Sequence, residues 1–347
     1  MKKCNGCGAI LQTDNKDIIG FTPSMEKDLC QRCFRIKHYD DLVKSYKSDF
    51  DNFDILETVN KEDNLVIWVV DLFDFDSNII NGLNRHLLNK DIILVGTKRD
   101  LLPDTMGNGK LLEFVRARLN FYGIQVAEIL FTGHHGHDGK DQVLKVIDHY
   151  RDERDVIIMG QANVGKSTLI NALAETDITI SRYPGTTLDL ISIPMDGYTL
   201  FDTPGLIRVD NMQYYVANDD LDKVVPKKIK PKVFQITKDS SFTIDGLVQV
   251  QIEVYDKTSV IFYVNDQLDI HRSALDNAES QWERVVNDET TVKSAGVNKM
   301  TKDLPIIRDP FDIVINGLGF INCKRNIKAV RVLRNENVEV LIREAII

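Results

Sequence analysis

Long apolar runs are missing from this 347-residue sequence. None approaches the roughly 20 residues that cross a bilayer as a helix. The opening Met1-Lys2-Lys3-Cys4-Asn5-Gly6-Cys7 has no apolar stretch behind its charges, so a secretory signal is not expected either. A cytoplasmic protein without a membrane partner is the expectation. Internal repeats and low-complexity tracts are also lacking, which sets aside repeat arrays and disordered tails. Nor is there an excess of positive charge: the net value is −9, so the chain as a whole does not present a basic surface to nucleic acid. What remains is 43% hydrophobic and 27% charged, the make-up of ordinary globular protein, and long enough for two or three domains.

The acidity is unevenly placed. Residues 46–212 carry 16 Lys and Arg against 26 Asp and Glu, whereas residues 1–45 carry 8 against 6 and the remainder 19 against 20. The flanking parts are thus about neutral and free to present local basic faces. The middle part alternates short apolar runs with amphipathic stretches, the pattern of an α/β parallel sheet. The runs are Leu65–Val70, Ile92–Val95, Ala127–Phe131, Val156–Met159, Leu188–Ile193 and Thr199–Phe201, with helical patterns over about 78–89, 108–121, 139–150 and 166–174. Residues 209–232 read as a polar, lysine-rich connector. Beyond it, Val248–Val254, Val260–Val264, Phe311–Ile315, Lys328–Leu333 and Val338–Ile342 alternate as strands, with one helix over about 273–286 that Ser273 would cap. The division expected is 1–45, 46–212 and 213–347.

The middle part contains a nucleotide site in an unusual order. Gly160-Gln161-Ala162-Asn163-Val164-Gly165-Lys166-Ser167 is a complete Walker A pattern, placed between a strand run and a helix. Gly160 and Gly165 let the backbone approach phosphate, with the Val164 and Thr168 amides nearby. Lys166 would meet the β- and γ-phosphates, and Ser167 would ligate Mg²⁺. Asp202-Thr203-Pro204-Gly205 supplies a D-x-x-G, in which Asp202 would hold Mg²⁺ through water and the Gly205 amide would meet the γ-phosphate. Between them Pro184-Gly185-Thr186-Thr187 stands where a first switch loop belongs. Thr187 is the expected Mg²⁺ ligand there, with Thr186 in reserve. The base-reading element, Thr97-Lys98-Arg99-Asp100, comes upstream of all of these instead of after them. Asp100 would accept hydrogen bonds from guanine N1–H and its exocyclic amine, Lys98 would cover the ring, and Thr132-Gly133-His134 would flank the base. The fold class expected is therefore α/β, a P-loop GTPase domain with a circularly permuted parallel sheet. Around it stand an N-terminal zinc-binding module and a β-rich C-terminal domain. GTP or GDP and Mg²⁺ are the expected ligands.

One residue is missing. Leu206 follows the D-x-x-G, where a glutamine would orient the attacking water. Slow intrinsic hydrolysis is expected. Asn163 could help hold a monovalent cation that offsets developing charge, or could merely shape the loop. His134, His135 and His137 read as a polar loop beside the base in preference to a metal site. Because the chain leaves the nucleotide domain after the D-x-x-G, nucleotide state is expected to bear on the C-terminal domain.

Four of the five cysteines form Cys4-x2-Cys7 and Cys30-x2-Cys33, separated by 22 residues. Two such knuckles suit a closed tetrahedral Zn²⁺ site. Disulfides fit a cytosolic chain less well. Lys2, Lys3, Arg32, Arg35 and Lys37 near the knuckles, and Lys324, Arg325, Lys328, Arg331 and Arg334 near the C-terminus, are candidate contacts to RNA phosphate. Cys323 reads as a small core hydrophobe.

In its four cysteines, its motif order, Val70-Asp71-Leu72-Phe73-Asp74-Phe75-Asp76 and Asp312-Ile313-Val314-Ile315-Asn316-Gly317-Leu318-Gly319, the chain resembles the YqeH family of circularly permuted GTPases. The resemblance spans essentially the whole sequence, with departures at Thr97 and Thr132–His134. It implies a factor in small-subunit ribosome assembly that uses GTP as a timer and binds ribosomal RNA and the small-subunit precursor. A monomer is the expected state. It also implies that a hydrophobic residue replaces the catalytic glutamine and that K⁺ stimulates turnover. The competing class is an RNA-binding scaffold whose nucleotide site scarcely turns over.

Overall fold

The computed structural model describes residues 2, 4, 10–14, 21–31, 52–134, 138–174, 181–182, 190–295 and 299–347. They fall into two compact units. The first comprises Met1–Leu72, Asn78–Asp100 and Val115–Ile207; the second comprises Phe73–Ser77, Leu101–Phe114 and Arg208–Ile347.

The first unit is built on a seven-stranded sheet. Its strands are β1 (Leu65–Asp71), β2 (Ile92–Thr97), β3 (Glu128–Phe131), β4 (Val156–Gly160), β5 (Ser181–Arg182), β6 (Ile191–Met195) and β7 (Tyr198–Asp202), in the order β3-β2-β1-β4-β7-β6-β5. The pairs β2–β3, β1–β2, β1–β4 and β4–β7 are parallel. Every residue of β1, β2 and β4 is buried, as expected of parallel strands covered on both faces. The expected all-parallel sheet is nevertheless mixed, because β6 pairs antiparallel with β7 and β5 with β6. The cause is local: only Asp196-Gly197 joins β6 to β7, and a two-residue loop can connect antiparallel neighbours alone.

Helices Asn108–Phe121, Lys140–Tyr150 and Lys166–Ala174 form where the periodicity predicts them. The pattern over 78–89 yields only Leu83–His86, preceded by the 3₁₀ turn Phe75–Asn78. The left-handed Gly82 between them interrupts any longer helix. A further helix, Asn52–Lys61, buries Ile55, Leu56 and Val59.

The second unit contains two five-stranded sheets. Their strands are β8 (Lys232–Ile236), β9 (Ser240–Ile244), β10 (Val248–Val254), β11 (Thr258–Val264), β12 (Ile270–Ala274), β13 (Lys299–Leu304), β14 (Phe311–Ile315), β15 (Gly319–Cys323), β16 (Ile327–Asn335) and β17 (Val340–Glu344). The orders are β12-β9-β10-β16-β13 and β17-β14-β15-β11-β8, and the strands pair antiparallel throughout. One apolar core draws on both sheets, through Phe242, Val250 and Val332 from the first and Phe262, Ile313 and Ile321 from the second. This is a β-sandwich. Cys323 is fully buried in that core, as predicted, and burial pushes its thiol pKa well up.

Two expectations fail here. Ser273 does not cap a helix: it lies in β12 opposite Ser241, and the helix runs Ala278–Asn287. Residues 209–232 are not a plain connector either. Met212, Val216 and Val224 enter the sandwich core, so the amphipathic spacing of this stretch outweighs its lysines.

The segment Phe73–Ser77 is tied into the second unit by buried polar contacts. The amide of Gly317, in the β14–β15 turn, donates to Asp74 Oδ2 at 3.0 Å. Arg343, fully buried, pairs with Asp76 and lies 3.4 Å from Asp312 Oδ2, and both carboxylates are themselves fully buried. Its guanidinium is flanked by the Phe114 ring at 5.0 Å and the Phe320 ring at 5.2 Å. Burial opposes the Arg343 charge, but the carboxylates of Asp76 and Asp312 overcome it and raise its pKa. The segments Phe73–Ser77 and Asp312–Gly319, far apart in sequence, thus meet. Replacing Arg343 with Met leaves two buried carboxylates without a cation and should cost about 3–5 kcal/mol in the unfolding transition of this unit. Adding Asp76→Asn and Asp312→Asn should restore part of the loss. Urea denaturation of the three proteins measures both effects.

Candidate nucleotide site

β4 ends at Gly160 in the middle of the first sheet, and the phosphate loop runs from there into the helix Lys166–Ala174. A side chain at Gly160 would meet the Val69 carbonyl at 2.6 Å, which limits this position to glycine. Asn163 and Gly165 both have left-handed backbone, with φ of 66° and 90°, so the loop turns back on itself before the helix begins. A loop curved in this way presents successive amides to one centre and favours an anion. Lys166 is buried, and its ammonium meets the Asp202 carboxylate and the Thr203 carbonyl, the latter at 2.5 Å. Asp202 ends β7 opposite Ile158 of β4, which sets the D-x-x-G beside the phosphate loop. The oxygens of Ser167 and Asp202 are hard donors of the kind Mg²⁺ prefers, so the residues present fit that ion.

The D-x-x-G continues along the loop in tight register. The Leu206 amide donates to Gly160 O at 3.0 Å, and Leu206 O accepts from the Ala162 amide at 3.1 Å. Leu206 is buried. The next residue is bracketed by Asn52: its side-chain amide donates to Ile207 O at 2.7 Å and its oxygen accepts from the Ile207 amide at 2.8 Å. Sequence reasoning missed Asn52, which lies 155 residues away and carries no local motif.

Three segments meet beside the phosphate loop. The Thr97 hydroxyl donates to Val164 O in the phosphate loop and lies 3.1 Å from Val70 O. Lys98, in left-handed backbone, sets its ammonium 2.7 Å from Asp71 Oδ2, and Asp71 is buried at the C-terminal end of β1. The Asp100 carboxylate accepts from the His134 amide at 2.9 Å. A side chain on Gly133 would come within 3.2 Å of that carboxylate, so the small residue admits the close approach. The Thr132 amide donates to Gly96 O at 2.7 Å and the Arg99 amide to Thr132 O at 3.1 Å, welding the ends of β2 and β3 together. Asp71 was quoted in the sequence only as part of a longer segment. Its place at the end of a buried parallel strand, where ligands gather in α/β sheets, was the available signal.

Thr97, Lys98, Asp100, Thr132 and Gly133 are thus gathered with Gly160, Val164, Gly165 and Lys166 in one unit. Thr186 and Thr187 lie outside the described residues, as do Cys7, Cys33, His135, His137, Lys3, Arg32, Arg35 and Lys37. His134 pairs with Asp138. Cys4 and Cys30 are both buried beside Leu11, and the Cys30 amide donates to Cys4 Sγ at 3.1 Å. Among the described residues no helix is long and apolar enough to cross a membrane, and no three metal-ligating side chains cluster.

A family model described as 50S ribosome-binding GTPase matches residues 155–299, and one described as YqeH-like, C-terminal, matches residues 257–346. The protein YqeH of Bacillus subtilis is 34% identical, with 99% of each chain covered. The NO-associated protein 1 of Arabidopsis thaliana is 29% identical over 92% of this chain and 69% of its own. A solved GDP-bound YlqF structure has 23% identity, a TM-score of 0.30, and coverage of 42% of this chain and 54% of its own. The chain belongs to the YqeH family of circularly permuted GTPases.

The Thr97 contact has a measurable consequence. Thr97→Val keeps the shape but leaves the Val164 carbonyl without its partner, which costs about 1–3 kcal/mol at a buried site. GDP affinity, read by titration with a fluorescent analogue, should fall roughly five- to hundredfold. Unchanged affinity would remove Thr97 from the binding apparatus.

Proposed function

We propose that this chain is a GTP-hydrolysing switch that assists assembly of the small ribosomal subunit by binding ribosomal RNA. The observation that supports it most is the Thr97–Val164 hydrogen bond, which draws the base-reading segment onto the phosphate loop although the two lie 67 residues apart. In this reading residues 46–212 form the GTPase module, with a zinc module at 1–45 and an RNA-binding module at 213–347. Asp100 selects guanine and Lys98 covers the ring, flanked by Thr132 and Gly133. The Gly160–Thr168 loop holds the phosphates, with Lys166 and the Gly205 amide at the γ-phosphate. Ser167, Thr187 and Asp202 hold Mg²⁺, which when bound neutralises phosphate charge.

Leu206 has only a hydrocarbon side chain, buried and pinned to the phosphate loop, so it cannot orient water by hydrogen bonding. Slow intrinsic turnover follows. Asn163 is proposed to help hold K⁺ near the phosphates. Cys4, Cys7, Cys30 and Cys33 are proposed as zinc ligands. The Cys30 amide aimed at Cys4 Sγ supports a thiolate there, since such N–H···S bonds orient metal-bound sulfur. The protein is proposed to act as a cytoplasmic monomer. The matched family model is described by the large subunit, so the subunit preference rests on the family resemblance and needs its own measurement.

The alternative, an RNA-binding scaffold with negligible turnover, draws on the same Leu206. Hydrolysis assayed in K⁺ and in Na⁺, with and without small subunits, separates the two. The switch predicts about tenfold or greater stimulation by K⁺ or by small subunits, in the manner of a supplied cation. Flat, near-zero rates under every condition would establish the scaffold. Co-sedimentation with large subunits only would overturn the small-subunit assignment. Asp100→Asn should weaken GTP and favour xanthosine triphosphate; an unchanged preference would overturn the base-site assignment.

A further inference from the structure

The sandwich has a polar cavity of about 520 Å³ at one end, in the size range of small-ligand sites. It is lined by Asp256, Lys257, Thr258, Lys324, Arg325 and Asn326, together with parts of β8 and β11. The lining residues come from two turns, 255–257 between β10 and β11 and 324–326 between β15 and β16. The turns hold each other rigidly. The Tyr255 amide donates to Asn326 O at 2.9 Å, and the Asn326 side chain donates to Lys257 O at 3.2 Å.

Two features mark the cavity as a ligand site. First, its lining gathers the cations Lys257, Lys324 and Arg325 against the acid Asp256, with the Asp309 carboxylate engaged by the Asn326 amide at 3.1 Å, and no ion pair occupies those three cations among the described residues. The other cations near the C-terminus are committed elsewhere. Lys328 pairs with Glu253 at 2.8 Å, Arg331 pairs with Asp303 at 2.7 Å, and Arg334 is buried. Secondly, Tyr255, in the same turn, is 75% exposed. Cations that grip phosphates next to an exposed aromatic face are the combination by which proteins hold unpaired nucleotides.

We infer that this cavity binds a phosphodiester of single-stranded RNA through Lys257, Lys324 and Arg325, with an adjacent base stacked on Tyr255. The inference rests on the RNA-binding reading above and gives it a place on the chain.

The test uses the full-length protein and a fluorescently labelled single-stranded RNA oligonucleotide, followed by anisotropy over a range of salt concentrations. Replacing Lys257, Lys324 and Arg325 together by Ala should reduce the slope of log K against log salt by about 2, because each lost phosphate contact on a single strand removes about 0.7. Tyr255→Ala should weaken binding roughly five- to hundredfold. GDP affinity should not change in any variant. The control is Lys227→Ala/Lys228→Ala/Lys230→Ala, which removes equal charge elsewhere in the same unit. If wild type binds RNA and the cavity variants bind equally well, this site is overturned while RNA binding stands. The site is likewise overturned if the control loses as much affinity as the cavity triple. If wild type binds no RNA, the broader reading fails and this site fails with it. Displacement of the RNA by millimolar inorganic phosphate alone would reassign the cavity to a small anion.

Discussion

The candidate nucleotide site depends on which strands of the first sheet are neighbours. Thr97 ends β2, Val164 lies in the loop after β4, and only β1 separates those strands in the sheet. Parallel register carries the ends of β2, β1 and β4 to the same edge: Val70 faces Gly96 and Val69 faces Gly160. The sheet therefore brings the Thr97–Asp100 segment and the phosphate loop within a few ångströms whatever their order along the chain. The Thr97 hydroxyl converts that proximity into a fixed separation. This is why permutation is tolerated. The site is specified by which strands are neighbours, and strand adjacency survives when the chain is cut and rejoined elsewhere.

Permutation does change what lies next to the site along the chain. Membership passes from the first unit to the second after Leu72, after Asp100 and after Ile207. Each of these points lies within a residue of a group in the nucleotide site: Asp71 opposite Lys98, Asp100 itself, and Ile207 in the bracket of Asn52. On the far side of the first crossing, Asp74 and Asp76 enter a buried network with Gly317, Arg343 and Asp312. Such a network contributes little net stability compared with well-packed hydrocarbon, but it tolerates no half-measures. Removing a partner strands a charge. It is thus suited to specifying one arrangement of the Phe73–Ser77 segment, and the Asp-Leu-Phe-Asp-Phe-Asp run is buried throughout despite its three carboxylates.

Much of this was legible before the coordinates. Gly160–Ser167, Asp202–Gly205 and Thr97–Asp100 each announced themselves, because phosphate and base contacts require particular residues at fixed short spacings. β1, β2 and β4 were legible because strands covered on both faces read as continuous apolar runs. What escaped was non-local or competed with a stronger local signal. Asn52 brackets Ile207 through a lone amide with no motif around it. The Asp196-Gly197 turn is a readable hairpin signal, but the apolar runs on either side of it read equally well as two more parallel strands. Ser273 looked like a cap because a helix does begin nearby. Backbone pairing with β9, Ser273 opposite Ser241, instead places it in β12, ahead of the helix start. Residues 209–232 were judged by their lysines, whereas Met212, Val216 and Val224 decide their place.

Charge, finally, looks different when resolved by place. The net value of −9 argues against nucleic acid only if charges act as one sum. At physiological salt they act over about 8 Å. The acidic excess sits in residues 46–212, while in the sandwich most cations near the C-terminus are neutralised by a specific partner, as Lys328 is by Glu253 and Arg331 by Asp303. Neutralisation of the neighbours sharpens the contrast at the cavity, where Lys257, Lys324 and Arg325 stand against Asp256, with Asp309 held at Asn326. In the proposed reading, an acidic body with a local cationic recess repels polyanions broadly and admits them there. That pattern yields orientation as much as affinity.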